Sequence, residues 1–352
     1  MAIKERIKKM SQYKPPLEGR SEKDYLLLDF SERTTGTNKK VKEALKKFIK
    51  TDRLQVYPEY GNLETKIAEY AKVPTGQVMV TNGGDQAIDI VCRAYLSEGD
   101  RVIIPFPAFA MHYQSAGIQG AKIIEPVYKK DGSFPKKEVL DLISGKVKLI
   151  ILCNPNNPIG NVIPMPWVKE ILKKAKKNDV AVLHDEAYFE FSGVTAKNLI
   201  KEYDNLYIIR TFAKAFGLVS TRVGYLMSQE KNIQEMLKIR GPYDVNMFAK
   251  TAVLAALKDQ GYVKKYIREV MKCSKPRLER FLKGKGIFFY PSSANFLLLK
   301  VAKPKDLINN LKSKGILVRP KESPDGKEAV RVSIGTVKDT EKLIKALTEI
   351  LD

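Results

Sequence analysis

The chain has 352 residues, 44% of them hydrophobic, and carries 62 Lys and Arg against 40 Asp and Glu, a formal net charge of +22. This length suggests about two domains. No window approaches the roughly 20 apolar residues of a membrane-spanning helix, and the charged first ten residues do not resemble a signal peptide, so we expect a cytoplasmic protein.

The excess of positive charge raises the possibility of nucleic-acid binding. The basic residues are spread along the whole chain without an RNA-binding signature, which favours a solvated surface that attracts anionic substrates, and nucleic-acid binding remains the alternative from a different class. Cys92, Cys153 and Cys273 lack metal-ligand spacing, and His112 and His184 do not complete a zinc site with them. We therefore expect reduced thiols and no metal.

The first predicted elements are an extended, proline-containing arm over residues 11–20 and a buried strand over residues 78–81. Asn82-Gly83-Gly84-Asp85 follows that strand and precedes apolar residues at helical spacing, so we expect a helix to open at Gly84 and Asp85. The opening turn of a helix offers unpaired backbone N–H groups to an anion.

Short apolar runs then alternate with amphipathic stretches, which predicts an α/β fold with a mostly parallel, doubly wound sheet. The predicted strands cover residues 101–104, 122–127, 148–152, 180–183, 206–209 and 223–227. Residues 246–284 are helical and Lys-rich. They precede predicted strands at 287–290, 296–301, 316–318 and 330–334 and helices near 304–313 and 337–351, which together indicate a smaller α+β domain.

The predicted domain organisation follows from these elements. Residues 1–39 form an N-terminal arm and part of the small domain, residues 40–255 form the large domain, and residues 256–352 form the small C-terminal domain. Ligands of an open α/β sheet bind at the carboxyl ends of its strands, so the site is expected there.

A lysine in an apolar setting is the most distinctive candidate residue. Lys214 lies within Thr211-Phe212-Ala213-Lys214-Ala215-Phe216-Gly217, directly after the strand predicted at 206–209. Such surroundings lower the pKa of an amine and free it as a nucleophile. Asn157, Asp185 and Arg222 also flank predicted strands, which indicates a shared site at one edge of the sheet.

With these residues in place, the chain resembles the fold-type I pyridoxal phosphate aminotransferases over essentially its whole length, and most closely their histidinol-phosphate aminotransferase branch. The motifs that carry the resemblance, besides the Lys214 segment and Arg222, are Tyr57-Pro58, Asn82-Gly83-Gly84-Asp85, Pro107-Ala108-Phe109, Asn154-Pro155-Asn156-Asn157-Pro158, Asp185-Glu186-Ala187-Tyr188, Pro242-Tyr243-Asp244-Val245-Asn246, Asn295-Phe296 and Arg331-Val332-Ser333-Ile334-Gly335-Thr336.

The resemblance implies a catalytic role for several of these residues. Lys214 would carry the cofactor as a Schiff base and move the proton during transamination. Asp185 would pair with the ring nitrogen of the cofactor. Asn157 and Tyr188 would donate to its phenolic oxygen, and Phe109 would stack on its ring.

The cofactor phosphate has its own implied contacts. The backbone of Gly84 and Asp85, the Thr211 hydroxyl and the Arg222 guanidinium would bind it. In the family, the tyrosine that matches Tyr57 reaches the cofactor phosphate of the neighbouring subunit, which implies a homodimer with shared active sites.

Substrate contacts are implied at three positions. Arg331 would bind the anionic end of the substrate through its two-pronged guanidinium. Arg319 and Tyr13 would supply auxiliary phosphate contacts, with the N-terminal arm as a lid over the site.

The sequence departs from the branch at several positions, and the substrate assignment stays open because of them. Ala213 replaces a common serine, Ile159 a usual threonine and His112 a usual tyrosine, and residues 29–34 replace an Asn-Glu-Asn motif. The leading hypothesis is amino transfer between histidinol phosphate and 2-oxoglutarate in histidine biosynthesis. The alternatives are an aromatic or broad-specificity aminotransferase and an enzyme that resembles threonine-phosphate decarboxylase.

Overall fold

The computed structural model describes residues 3–351. In this range the chain forms fourteen α-helices, of which α11 and α12 are joined by a π-helical turn at Val270–Ser274. They are α1 (Glu5–Lys9), α2 (Lys39–Ile49), α3 (Leu63–Ala71), α4 (Gly83–Tyr95), α5 (Ala110–Ile118), α6 (Lys136–Leu142), α7 (Met165–Lys177), α8 (Phe189–Ser192), α9 (Glu230–Leu237), α10 (Met247–Leu257), α11 (Gln260–Glu269), α12 (Lys275–Gly284), α13 (Pro304–Ser313) and α14 (Val337–Leu351).

The same residues form thirteen β-strands in three sheets. They are β1 (Leu26–Leu27), β2 (Val78–Thr81), β3 (Arg101–Ile103), β4 (Lys122–Ile124), β5 (Val147–Cys153), β6 (Ala181–Asp185), β7 (Leu206–Thr211), β8 (Gly224–Met227), β9 (Phe288–Phe289), β10 (Phe296–Lys300), β11 (Ile316–Leu317), β12 (Arg319–Glu322) and β13 (Glu328–Ser333).

The largest sheet has seven strands in the order β2-β8-β7-β6-β5-β3-β4, and β8 alone runs in the direction opposite to the other six. Its central strands are continuous apolar runs because helices cover both faces of the sheet. Along β5, Leu149 and Ile151 pack into one apolar cluster, whereas Ile150 and Leu152 pack into the other. The predicted α/β class with a mostly parallel, doubly wound sheet is confirmed.

A smaller antiparallel sheet follows in the order β12-β13-β10-β9, and helices α12, α13 and α14 pack near it. Residues of this sheet, such as Leu298, belong to the same apolar cluster as Ile150 of the large sheet. The two sheets therefore share a continuous core. The domain boundaries at residues 40 and 255 stay a prediction.

The structure shortens two predicted strands and adds a third. The strand predicted at 122–127 ends at Ile124, and the one at 316–318 ends at Leu317. Arg319 instead begins β12, a separate strand that the sequence did not predict. The chain begins a new strand at Arg319 because its pairing partner changes there: β11 pairs with β1, whereas β12 pairs with β13. Strands of two to four residues also carry little periodic signal in the sequence.

The N-terminal arm lies against the large sheet's helices. Helix α1, which was also not predicted, is anchored by Arg6, whose Nε donates to the Ile118 carbonyl at 2.8 Å and whose guanidinium pairs with Glu98. Residues 11–16 form no helix, strand or turn. None of the helices described between residues 3 and 351 is long and apolar enough to cross a membrane.

Candidate active site

A cavity of about 540 Å³ lies between the carboxyl ends of β5, β6 and β7 and one face of the small sheet. All the predicted site residues except Tyr57 line it, namely Tyr13, Gly84, Asp85, Phe109, Asn157, Asp185, Tyr188, Thr211, Lys214, Arg222, Arg319 and Arg331. Chain folding thus brings together residues that are up to 318 positions apart in the sequence, as between Tyr13 and Arg331. The chemical roles assigned to them remain predictions.

One end of the cavity is suited to an anion. Helix α4 begins at Gly83, so the backbone N–H groups of its first turn, including those of Gly84 and Asp85, lack partners within the helix. Arg222 reaches the same place, with Nη2 at 3.0 Å from Oδ2 of Asp85. The Thr211 side chain lines the cavity there and accepts a hydrogen bond from the Ala213 N–H.

Gly224 allows the close approach of β8 to this helix opening. A Cβ at position 224 would lie 2.7 Å from both the carbonyl carbon of Gly83 and the backbone nitrogen of Gly84. We expect Gly224→Ala to lower the free energy of unfolding by about 1–3 kcal/mol, because the backbone must shift to relieve the overlap. Urea unfolding measures this loss. Gly284→Ala is the matched control, since a Cβ there meets nothing within 4 Å, and equal losses in the two variants would contradict the prediction.

A buried carboxylate lies on the cavity wall at the end of β6. Asp185 is 4% exposed, and its Oδ2 accepts a hydrogen bond from Nε2 of His112 at 3.0 Å. Its Oδ1 accepts from the Ala187 N–H at 3.0 Å. Because a carboxylate only accepts hydrogen bonds, this pairing places the His112 proton on Nε2, and Nδ1 of the same ring has no partner among the described residues. In the sequence His112 stands out only as a departure from the branch, so this contact was not predicted.

The amine of Lys214 also belongs to the cavity lining. Its Nζ donates to the Phe30 carbonyl at 2.8 Å and lies 5.8 Å from the centre of the Tyr188 ring. Burial, together with the nearby positive charges of Arg331 and Arg222, lowers the pKa of Lys214 to about 8. The amine is therefore far more nucleophilic near neutral pH than a surface lysine.

A row of hydrogen-bonded polar side chains links the large sheet to the small one. It consists of Asn157, Tyr188 and Arg331. Nη1 of Arg331 donates to Oδ1 of Asn157 at 2.6 Å, and Nη2 donates to the Asp29 carbonyl at 2.7 Å. The Asn157 amide nitrogen in turn donates to the Tyr188 hydroxyl at 3.4 Å. Arg331 thus fixes the direction in which Asn157 presents its N–H groups. Burial raises the pKa of Tyr188, so its hydroxyl stays protonated and can donate.

The end of the cavity formed by the small sheet is cationic. Arg319 lies over the Phe30 ring, at 4.7 Å from its centre, and its Nη2 donates to the Tyr13 hydroxyl at 3.4 Å. Lys321 lines the cavity beside it and was not among the predicted site residues. The sequence carries no signal for it, because the strand that places Arg319 and Lys321 on one face was not predicted.

Tyr57 lies apart from the other predicted residues. Its side chain is 76% exposed and its ring stacks on Tyr243, with 4.4 Å between ring centres. It does not line the cavity formed by its own chain. This position leaves the predicted contact with a neighbouring subunit untested.

The cavity matches the chemical groups of pyridoxal phosphate. The glycine-lined helix opening with Arg222 suits its phosphate, and the Asp185 carboxylate suits a protonated ring nitrogen. Lys214, with its lowered pKa, suits the aldehyde carbon, and Phe109 lines the wall where a planar ring would stack. The space beside Gly83 is tight, because a Cβ there would lie 2.7 Å from Nη2 of Arg222. A larger residue would therefore displace the guanidinium.

Comparison with known proteins agrees with this geometry. Residues 23–347 match the aminotransferase class I and II family. A histidinol-phosphate aminotransferase of Geobacillus sp. (strain WCH70) is 34% identical to this chain, and the match covers 100% of this chain and 98% of that protein. A histidinol-phosphate aminotransferase of Methanocaldococcus jannaschii is 33% identical, and the match covers 99% of this chain and 97% of that protein. The structure of the histidinol-phosphate aminotransferase from Sinorhizobium meliloti, solved in complex with pyridoxal-5'-phosphate, has the same fold at a TM-score of 0.87 and 22% identity, with 99% and 97% of the two chains covered.

The family match spans nearly the whole chain and includes every strand of the large sheet and every residue of the cavity beyond Leu17. The predictions of an enzyme, of its family and of its cofactor are thereby confirmed. The chain belongs to the class I and II aminotransferases and is a transaminase that uses pyridoxal phosphate.

Proposed function

We propose that the protein transfers the amino group between histidinol phosphate and the glutamate/2-oxoglutarate pair, as a step of histidine biosynthesis. The observation that carries this proposal is the cationic end of the cavity, where Arg319 and Arg331 are both buried. Nη1 of Arg319 and Nε of Arg331 have no hydrogen-bond partner among the described residues. Buried donors without partners are costly, so these atoms are suited to an anionic substrate group.

The two ends of the cavity would bind different anionic groups. Gly84, Thr211 and Arg222 would hold the cofactor phosphate at the helix opening, so Arg319 and Arg331 remain for the substrate. A phosphate ester and a carboxylate both accept paired N–H donors from arginine. The same cations can therefore serve the phosphate of one substrate and the distal carboxylate of glutamate in the other half-reaction.

The residues of this chain that act on the reacting atoms are few. Pyridoxal phosphate, when bound, supplies the electron sink for the electrons left at the substrate Cα. Nζ of Lys214 takes the proton from Cα and later returns a proton, which its lowered pKa allows near neutral pH. Asp185 would hold a proton on the ring nitrogen, and Asn157 and Tyr188 would orient the ring through its phenolic oxygen. Phe109 would restrain the ring from the side.

The rate at which cofactor-free protein captures pyridoxal phosphate should rise with pH and level off above about 8. The pKa of Lys214 is lowered to about 8, and only the neutral amine attacks the aldehyde. The neutral fraction is therefore about one tenth at pH 7 and grows about tenfold per pH unit below the pKa. Stopped-flow absorbance from pH 6 to pH 9.5 measures this profile. A rate that still rises about tenfold per pH unit at pH 9.5, as the ordinary lysine pKa of 10.5 requires, would show that burial does not tune this amine.

The substrate assignment is tested by steady-state kinetics of the purified, cofactor-loaded enzyme. Histidinol phosphate with 2-oxoglutarate should give the highest kcat/KM, ahead of phenylalanine and other amino acids with the same acceptor. Threonine phosphate should yield no carbon dioxide. A preference for phenylalanine would favour the aromatic or broad-specificity alternative, and release of carbon dioxide would favour the decarboxylase alternative.

We also propose that the active enzyme is a homodimer with shared sites. Tyr57 and Tyr243 form an exposed aromatic pair, and Leu54 and Val56 beside them are exposed as well. An exposed apolar patch of this kind is typical of a subunit interface. Sedimentation analysis should give twice the mass of one chain, and Tyr57→Ala should weaken cofactor binding. A monomeric, fully active enzyme would contradict the proposal.

A further inference from the structure

Three cationic side chains lie on one face of the small sheet. In the antiparallel register of β12 and β13, Arg319 is directly opposite Arg331, and Lys321 is opposite Ala329. Cross-strand partners share a face, and so do residues two apart on one strand. Arg319, Lys321 and Arg331 therefore all point to the side that lines the cavity, and the small Ala329 leaves room beside the lysine.

The acidic residues near this cluster already have partners. Arg20 donates to both carboxylate oxygens of Asp29, at 2.8 and 2.9 Å, and also pairs with Glu32. Glu322 follows Lys321 on β12, so its side chain starts on the opposite face of the sheet. None of the three cations forms an ion pair with a carboxylate within residues 3–351.

The side-chain amine of Lys321 has no hydrogen-bond or ion-pair partner among residues 3–351, whereas its backbone pairs with that of Ala329. Directly opposed like charges repel one another, so Arg319, Lys321 and Arg331 are held together against their mutual repulsion. A bound anion would relieve this repulsion, and an anion with two charges would relieve more of it than an anion with one.

We propose that Lys321 is a specificity-determining residue that completes, with Arg319 and Arg331, a subsite for a doubly charged phosphate group, and so favours phosphate monoesters over carboxylates. The inference rests on the proposed function and adds to it a residue for which the family motifs assign no role. Lys321 would pair with the phosphate oxygens that the two arginines leave free.

The ionisation of Lys321 supports this assignment. Burial and the positive charges of Arg331 and Arg319 lower the pKa of Lys321 to about 7, against the opposing effect of Glu322. Glu32 lines the cavity, and it is paired with Arg20. At pH 8 the free amine is therefore mostly neutral. A bound dianion would favour its charged form, so binding should take up a proton from solution.

Calorimetric titration of the cofactor-loaded enzyme at pH 8 tests the inference without relying on any substrate. Inorganic phosphate is the doubly charged probe and acetate the singly charged one, and each is titrated in two buffers of different ionisation enthalpy to count protons. The variants are K321M, which keeps the length of the side chain, and K321R, which keeps a permanent charge. K312M removes a lysine from the exposed face of α13 and serves as the control.

We expect three results in the titrations and one in turnover. K321M should bind phosphate about ten- to a hundredfold more weakly than the wild type, while its acetate affinity changes by less than about threefold. K321R should bind phosphate nearly as well as the wild type but take up fewer protons, because arginine is charged throughout. K312M should match the wild type. In turnover, K321M should raise KM for the phosphorylated substrate and leave kcat little changed.

The outcomes separate the inference from the proposed function. If K321M binds phosphate like the wild type, or if K321R takes up as many protons as the wild type, the role given to Lys321 is wrong even where histidinol phosphate is a good substrate. If the wild type turns over no phosphate monoester, the proposed function is wrong. The phosphate and acetate affinities then still decide whether Lys321 builds a dianion subsite.

Discussion

Replacing Lys214 with alanine should reduce transamination by at least about a thousandfold. General acid–base catalysis by one positioned group is worth about 10²- to 10⁴-fold, and this amine also makes the covalent attachment to the cofactor. Both contributions depend on Nζ, which lies in the cavity and has a pKa of about 8. Single-turnover and steady-state assays of the variant with glutamate and 2-oxoglutarate measure the loss.

The controls for this variant separate lost chemistry from lost structure. Lys146→Ala removes an exposed lysine from the turn before β5 and should keep wild-type activity. Borohydride reduction of the wild-type enzyme with bound cofactor, followed by peptide mapping, should place the label on Lys214. Turnover by Lys214→Ala within tenfold of the wild type would exclude this lysine as the catalytic amine.

The large sheet could be predicted from the sequence because its strands are long apolar runs separated by amphipathic helices. Strands β5 and β7 are buried along their length, which gives a strong signal over six or seven residues. The small elements gave no such signal. Strand β1 has two residues and forms only by pairing with β11, which lies 290 residues further along the chain. Such a pairing depends on tertiary contacts that a local pattern does not contain.

The candidate site was predictable to the extent that its residues follow strands of the parallel sheet. Asp185 and Thr211 end two such strands, and the topology then requires them to meet at one edge. The contacts that tune these residues were not predictable. His112 reaches Asp185 from α5 across 73 positions, and the group that accepts from Lys214 is the backbone carbonyl of Phe30, which has no side-chain signature.

The cationic end of the cavity shows the same limit. Arg331 was expected because it lies in a matched motif, whereas Lys321 depends on the register of β12 against β13. A shift of one residue in that register would point Lys321 away from the cavity. The sequence alone ended the strand before Arg319, so the face of the lysine was undetermined.

Replacing Asp185 with asparagine should lower kcat by about a thousandfold while leaving the fold intact. A charge pair at about 4 Å in an effective dielectric of about 20 is worth about 4 kcal/mol, which corresponds to roughly three powers of ten in rate. The amide oxygen of the new side chain can still accept from the Ala187 N–H, and its NH2 group can donate to Nε2 of His112 once the His112 proton moves to Nδ1. The shape of the site is kept and the negative charge is removed, so a proton on the cofactor's ring nitrogen loses its partner.

The measurement is kcat for the glutamate half-reaction, together with the absorbance of the bound cofactor, which should show that the variant still holds it. Asp306→Asn, at an exposed position in the first turn of α13, removes the same charge far from the cavity and should match the wild type. Loss of activity with retained cofactor would locate the defect in the electronics of the ring rather than in binding. If the asparagine variant instead keeps kcat within about tenfold of the wild type, the buried carboxylate does not sustain the ring-nitrogen proton. The strength of the electron sink must then come from the side of the cavity that holds Asn157, Tyr188 and Arg331.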